Sequence, residues 1–247
     1  MDCVTDQPRG INGSSEEKST PEKLPRSLTL LSSASEVSVT QHIDPVEVVL
    51  CCFARPCRYS VYVDGSEQHL LYIQEVSECY ARQIMGAARG LTLKFSDSDM
   101  IDVIKVIRPQ TCSRGCLCCC CCCALPTLDI QSPPGVSVAS VTERRTVCMP
   151  TYDINDKDGN MLYTVRLCCY TCRISLCSQL IFEICDVDGV QVAQLCKNGN
   201  FKECVGATNN FTIKFLKDIS VIQKVILLGS MFLVDYHYFE RQNRCCC

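Results

Sequence analysis

The sequence has no tryptophan, only three histidines and no large excess of charge of either sign. Its 24 Lys+Arg against 27 Asp+Glu leave a formal net charge of −3, so no basic excess points to a nucleic-acid partner. The motifs of a serine-hydrolase elbow, a phosphate-binding loop, a zinc protease and a dinucleotide-binding turn are all missing. We therefore expect a chain that is not an enzyme.

Cysteine, in contrast, is abundant, with 24 in 247 residues, a level typical of disulfide-rich secreted proteins. The stretch after Met1 is charged rather than apolar, with Asp2, Asp6 and Glu16, so we expect no cleaved signal peptide. The thiols are then expected to be reduced, because disulfides persist mainly in oxidising compartments. Their functions would be packing, metal ligation or lipid attachment.

The chain divides into three parts. Residues 1–40 are rich in Ser, Thr, Glu, Lys and Pro, a composition that buries too little apolar surface to offset ordering entropy, and they are predicted to form a disordered tail. Residues 41–240 contain short β-branched and apolar runs separated by turn residues, which predicts one mainly β domain. Residues 241–247 form a cysteine-rich C-terminal tail.

Asp-Gly dipeptides between short apolar runs predict β-hairpins, because this pair accommodates the positive φ angles of a tight turn. They occur at positions 64, 158 and 188. Similar Asp-rich turns at Asp97 and Asp186 are 89 residues apart, and Tyr59 and Tyr152 are 93 apart. This spacing indicates two related halves, and we predict that they form a closed antiparallel barrel.

Residues 219–238 are predicted to form a C-terminal helix, of which 219–234 is apolar on nearly all sides. The uninterrupted apolar stretch covers only 225–234, between Lys224 and Asp235, whereas a bilayer span needs roughly 20 apolar residues. We therefore prefer a helix that fills the barrel, with a single transmembrane span as the alternative.

Six consecutive cysteines near the middle of the chain are candidate lipid-attachment sites. Neighbouring side chains of an extended segment point to opposite sides, so the six cannot all enter one core or ligate one tetrahedral metal. Exposed thiols are acceptors for S-palmitoylation, and two or more acyl chains give stable anchoring. The alternative is a chance run of buried thiols that act as small hydrophobic groups. The candidates are Cys118, Cys119, Cys120, Cys121, Cys122 and Cys123.

Two other cysteine groups leave alternatives open. Cys169 and Cys172 have the spacing of half a zinc site, but no second pair with that spacing lies nearby, and buried strand cysteines are the alternative. The terminal cysteines 245–247 allow prenylation or a short unstructured tail with free thiols.

Four motifs in a fixed order carry a resemblance to a known family. They are residues 42–48 (HIDPVEV), the six-cysteine run, residues 128–135 (LDIQSPPG) and residues 232–240 (FLVDYHYFE). From about residue 41 to 240 the chain resembles the phospholipid scramblase family.

This resemblance implies a tubby-like fold, in which about twelve strands form a barrel around a hydrophobic C-terminal helix. It implies palmitoylation within residues 118–123, the cytoplasmic face of the plasma membrane as location, and a phospholipid membrane as partner. The implied activity is calcium-dependent, bidirectional and non-selective movement of phospholipids between leaflets, which is transport rather than catalysis. Membrane-surface proteins and a homo-oligomer are further partners that the assignment allows.

The calcium loop implied by the resemblance falls on residues 207–218. Its candidate ligand positions in this chain are Asn209, Phe211, Ile213 and Asp218. Ala207 offers no side-chain oxygen and Asp218 is the only carboxylate of the stretch, so calcium binding is expected to be weak or absent. A strand over residues 211–215 explains the alternation of Phe211, Ile213 and Phe215 equally simply.

Two functions follow from these observations. The first is a lipid scramblase anchored by palmitate. The second is an acylated adaptor or signalling protein at the membrane surface, with little scrambling activity of its own.

Overall fold

The computed structural model describes residues 25–42, 55–85, 89–110, 125–144, 146, 149–168, 180–197 and 210–236. Within these residues, twelve strands form one closed antiparallel barrel, which confirms the predicted fold. The strands are β1 Glu36–His42, β2 Arg58–Val63, β3 Leu71–Val76, β4 Leu91–Ser96, β5 Asp102–Arg108, β6 Thr127–Gln131, β7 Ser137–Arg144, β8 Thr151–Asp156, β9 Met161–Leu167, β10 Leu180–Asp186, β11 Gln191–Lys197 and β12 Asn210–Phe215. The helices are α1 Arg26–Ser33, α2 Cys79–Ile84 and α3 Val221–Val234.

Each strand pairs with its neighbours in sequence, and β1 closes the barrel by pairing with both β2 and β12. Alternate side chains point inward, because side chains along a strand alternate between the two faces of a sheet. In β1, for example, Val37 and Val39 are fully buried while the residues between and beside them are partly exposed.

Four hairpins of the barrel share one irregularity, a shift of register near the turn. The register shifts after Phe95 in the β4–β5 pair and after Ile184 in the β10–β11 pair, which reproduces the 89-residue separation. In both hairpins an aspartate begins the turn: Asp97 Oδ1 accepts the N–H of residues 99 and 101, and Asp186 Oδ1 accepts those of residues 188 and 190. The register also shifts after Ile130 in the β6–β7 pair and after Ile154 in the β8–β9 pair, and Asp156 Oδ1 accepts the N–H of residues 158 and 160 in the same way. These features are common to several hairpins, so the relation between two halves stays a prediction.

Helix α3 is the core of the barrel, as predicted. Every residue from Lys224 to Val234 is buried, and a Cβ built on Gly229 would lie 2.9 Å from Ile130 and 3.3 Å from Val106 on the barrel wall. The helix begins two residues later than predicted because Ser220 caps it: Ser220 Oγ accepts the N–H of Gln223, and the Gln223 side chain accepts the N–H of Ser220. Residues 237–238 lie outside the described part.

Among the described residues, no helix combines the length and the apolar character that crossing a bilayer requires.

The predicted disordered tail over residues 1–40 is wrong for its last part. Helix α1 occupies Arg26–Ser33, and β1 begins at Glu36. The physical reason is that Leu31 and Ala34 pack into the barrel core and are at most 2% exposed, while β1 supplies the twelfth strand that closes the sheet. Residues 1–24 lie outside the described part.

Candidate functional site at the ends of the barrel

The strand order separates two kinds of connection. One end of the barrel, which we call the hairpin pole, carries the tight turns that join β2 to β3, β4 to β5, β6 to β7, β8 to β9 and β10 to β11. The other end, the connection pole, carries the remaining connections, most of them longer, which join β1 to β2, β3 to β4, β5 to β6, β7 to β8, β9 to β10 and β11 to β12. Helix α3 begins at the hairpin pole and ends at the connection pole.

The two strands that flank the predicted lipid-attachment segment, β5 and β6, meet at the connection pole. Residues 118–123 lie outside the described residues, but the chain leaves the barrel at Arg108, the end of β5, and returns at Thr127, the start of β6. The half zinc site at Cys169 and Cys172 is also outside the described residues, between the ends of β9 and β10. Among described cysteines of this pole, Cys79 and Cys168 are exposed.

A buried ion pair lies directly beneath the connection pole. Arg89 Nε donates to Glu75 Oε1 at 2.8 Å and its Nη2 donates to Oε2 at 3.0 Å, and both side chains are at most 2% exposed. Ser77 Oγ and the Cys57 N–H also donate to this carboxylate. Burial by itself pushes the pKa of Glu75 upward, but the hydrogen bonds and charge of Arg89 outweigh it and leave this pKa below its usual value.

The end of α3 is tied to this ion pair. Tyr236 Oη donates to Glu75 Oε2 at 3.5 Å, and the guanidinium groups of Arg89 and Arg108 lie 5.3 and 5.6 Å from the centre of the Tyr236 ring. Tyr59 Oη donates to Asp235 Oδ2 at 3.4 Å. Burial raises the pKa of Tyr59, so its phenol stays protonated and remains a donor. These contacts fix the C-terminal end of the helix inside the barrel.

The start of α3 is fixed by one buried lysine. Lys224 Nζ donates to the main-chain oxygen atoms of Ser32 at 2.6 Å and Ala34 at 2.7 Å, at the end of α1. The ammonium group also lies 5.0 Å from the centre of the Phe215 ring, a cation–π distance. Helix α1 thereby packs against the start of α3, and α3 is held at both ends by charged side chains.

The described part of the candidate calcium loop forms a strand, and weak calcium binding stays a prediction. Residues Asn210–Phe215 are strand β12, which confirms the strand alternative. Phe211 and Ile213 point into the core and are at most 1% exposed. Asp218 follows the C-terminal end of β12, at the hairpin pole. Asn209 lies outside the described residues. Across the described part of the chain, no three His, Cys, Asp or Glu side chains are placed to hold a metal ion.

The buried polar contacts at the two poles were not expected from the sequence. A usable signal existed in β3, where Leu71, Ile73 and Glu75 occupy alternate, inward positions, so that Glu75 falls among apolar side chains. The position of Arg89, outside any strand, could not be inferred from alternation. Lys224 was recognised only as the boundary of the apolar helix segment.

Comparison with known proteins gives one consistent family. A family model described as Scramblase matches residues 14–241. Phospholipid scramblase 1 of Mus musculus is 32% identical over 225 residues, which are 90% of this chain and 66% of that protein. Phospholipid scramblase 4 of Homo sapiens is 28% identical over 219 residues, 88% of this chain and 65% of that protein. Phospholipid scramblase 2 of Homo sapiens is 30% identical over 224 residues, 90% of this chain and 73% of that protein.

The chain thus spans slightly less than two thirds of the length of the first two of these relatives. No solved structure gives a significant match.

Proposed function

The chain belongs to the scramblase family, and on that premise we propose that it moves phospholipids between the two leaflets of a membrane, in both directions and without selecting headgroups. The observation that carries the proposal is the extent of the family match, which includes all twelve strands and α3. The proposed activity makes and breaks no covalent bond, so it is transport rather than enzymatic catalysis.

Membrane attachment in this proposal comes from palmitate on two or more of residues 118–123. One acyl chain gives only marginal, reversible binding, whereas two give stable anchoring. The strands on either side of this segment, β5 and β6, end at the connection pole, so the acyl chains are proposed to hold that pole against the bilayer. The proposed location is the cytoplasmic face of the plasma membrane.

Helix α3 stays inside the barrel in this account. Eight of its buried side chains are apolar, and burying such a side chain is worth about 1.5–3 kcal/mol. Insertion of the helix into lipid would rebury these groups, but it would leave the inward faces of the strands exposed to water with nothing to cover them. Lipid movement is therefore proposed to occur in bilayer that is thinned around the docked barrel or between assembled copies, and calcium is assigned no step.

A reconstitution assay tests this proposal. The full chain, purified from cells that acylate it, is placed in liposomes containing a fluorescent phospholipid, and an impermeant reductant is added outside. Scrambling makes the inner-leaflet fluorescence reducible. The expected result is loss of the protected fraction with wild type but not with a variant that has serine at positions 118–123. Persistence of the protected fraction with wild type, with and without calcium, would rule the activity out.

The burial of α3 also favours a second function, an acylated adaptor or signalling protein at the membrane surface. A helix locked in the barrel core lines no path for a lipid headgroup. This alternative predicts acylation-dependent membrane binding with no lipid movement in the same assay, so one experiment separates the two functions.

A further inference from the structure

The residues at the ends of the twelve strands differ in charge between the two poles. At the connection pole, four of these terminal residues are cationic and none is acidic: Arg58, Arg108, Arg144 and Lys197. At the hairpin pole, four are acidic and none is basic: Glu36, Asp102, Asp156 and Asp186. The barrel therefore has a charge polarity along its axis that the net charge of −3 conceals.

The turns of the hairpin pole strengthen this polarity. The turns between strands at this pole, together with the segment between β12 and α3, contain two lysines, Lys157 and Lys217. The same segments contain seven carboxylates: Asp64, Glu67, Asp97, Asp99, Asp158, Asp188 and Asp218. The Asn160 side chain lowers the pKa of Asp156, and the Val190 N–H lowers that of Asp186. Asp156 and Asp186 therefore remain ionised at neutral pH, and an anionic surface would repel this acidic pole.

The connection pole has the properties of a membrane-binding surface. The side chains of Arg58, Arg144 and Arg166 are exposed near its rim. In the connection between β3 and β4 at the same pole, α2 exposes Tyr80 and Ile84 one helical turn apart, and such amphipathic and apolar groups favour the headgroup boundary of a bilayer. The hairpin pole exposes apolar side chains as well, Met100 and Val187 among them, but these lie next to carboxylates in the turns.

We propose that the connection pole docks the barrel on an anionic phospholipid surface, with Arg58, Arg144 and Arg166 facing the headgroups and Tyr80 and Ile84 entering the interface. This inference deepens the proposed function, on which its membrane partner rests. Its support is the charge complementarity of this pole, together with the ends of β5 and β6, the strands that flank residues 118–123 in sequence, at the same pole.

Two matched triple variants test the docking surface. Arg58→Gln, Arg144→Gln and Arg166→Gln remove three charges from the connection pole and two surface ion pairs, to Asp153 and Glu183. The control removes three charges from the hairpin pole, by Lys157→Gln, Lys214→Gln and Lys217→Gln, and also two surface ion pairs, to Glu36 and Asp186. The four paired cations are all 45–55% exposed, so the variants match in net charge and in the number of lost ion pairs.

The assay is co-sedimentation of the unacylated full chain with phosphatidylcholine vesicles that contain or lack phosphatidylserine. One basic side chain near an anionic surface contributes about a fivefold change in binding affinity, so the connection-pole variant should bind the vesicles about a hundredfold more weakly than wild type. The hairpin-pole variant should bind within about twofold of wild type, because its charges would lie farther from the membrane than the screening length of about 10 Å. Equal losses in both variants, or no serine-lipid preference in wild type, would overturn the proposal.

The absence of tryptophan allows the orientation to be measured directly. Tyr80→Trp and Met100→Trp place single fluorophores at similarly exposed positions, 63% and 72% exposed in the native residues, at opposite poles. Vesicles of brominated lipid should quench Tyr80→Trp and leave Met100→Trp unchanged. Stronger quenching of Met100→Trp would reverse the assignment, and quenching of neither would refute it. Neither readout measures lipid movement, so the two proposals can fail separately. Scrambling without docking would overturn the docking surface, and docking without scrambling would overturn the proposed lipid movement.

Discussion

Phe232 provides a direct test of α3 as the barrel core. Its side chain is fully buried, and its ring centre lies 5.1 Å from that of Tyr59 and 5.6 Å from that of Phe95, both in edge-to-face geometry. Phe232→Ala removes this ring and leaves a cavity between helix and wall, a change that costs about 3–5 kcal/mol in comparable cores. For a chain of this size the melting temperature should fall by about 10 °C.

A control on the same helix makes the result interpretable. Ile222 is 59% exposed in the first turn of α3, so Ile222→Ala should change the free energy of unfolding by no more than about 0.5 kcal/mol. Both variants would be unfolded by denaturant and followed by circular dichroism, which reports the barrel strands. If Phe232→Ala were as mild as Ile222→Ala, α3 would not be part of the barrel core, and the account of the fold would fail.

Three further outcomes are expected. Glu75→Gln should lower the free energy of unfolding at neutral pH by about 3–5 kcal/mol, because it leaves Arg89 buried without its counter-charge. Since the pKa of Glu75 is lowered in the fold, melting curves should show the stability difference between wild type and variant shrinking as the pH falls below about 4.5. Lys224→Met should lower the free energy of unfolding by about 2 kcal/mol or more and speed proteolysis of α1, because the hydrogen bonds to the end of α1 are lost. The control Lys217→Met, which removes an exposed ion pair, should do neither. Equal proteolysis rates of α1 in the two variants would show that Lys224 does not hold α1. Asp218→Asn should leave calcium binding by the full chain unchanged in calorimetry, and a loss of binding heat would restore the calcium loop.

Regular patterns explain which parts of the fold could be predicted. The Asp-Gly turns specify hairpins through local backbone geometry, and all three predicted hairpins are confirmed. The burial of α3 followed from its apolar character on all sides together with charged residues at 224 and 235. These signals are local in sequence, so they need no knowledge of the partner elements.

Non-local contacts explain the rest. The helix Arg26–Ser33 has a composition that favours disorder, and it becomes ordered because Leu31 enters the core and because its end accepts hydrogen bonds from Lys224, about 190 residues away. The ion pair of Glu75 with Arg89 and the charge polarity between the poles depend on which strand ends meet. The sequence places these residues at one pole or the other only once the barrel topology is known.

In the proposed function, α3 stays inside the barrel while the protein moves lipids at the membrane. Hydrogen exchange measured by mass spectrometry on the acylated chain, free and on liposomes in which lipid movement is under way, tests this most directly. The account predicts that α3 and the strands which face it, β6 and β7, keep the same protection in both states. Loss of protection in β6 and β7 on the membrane would mean that the helix leaves the barrel and would contradict the account.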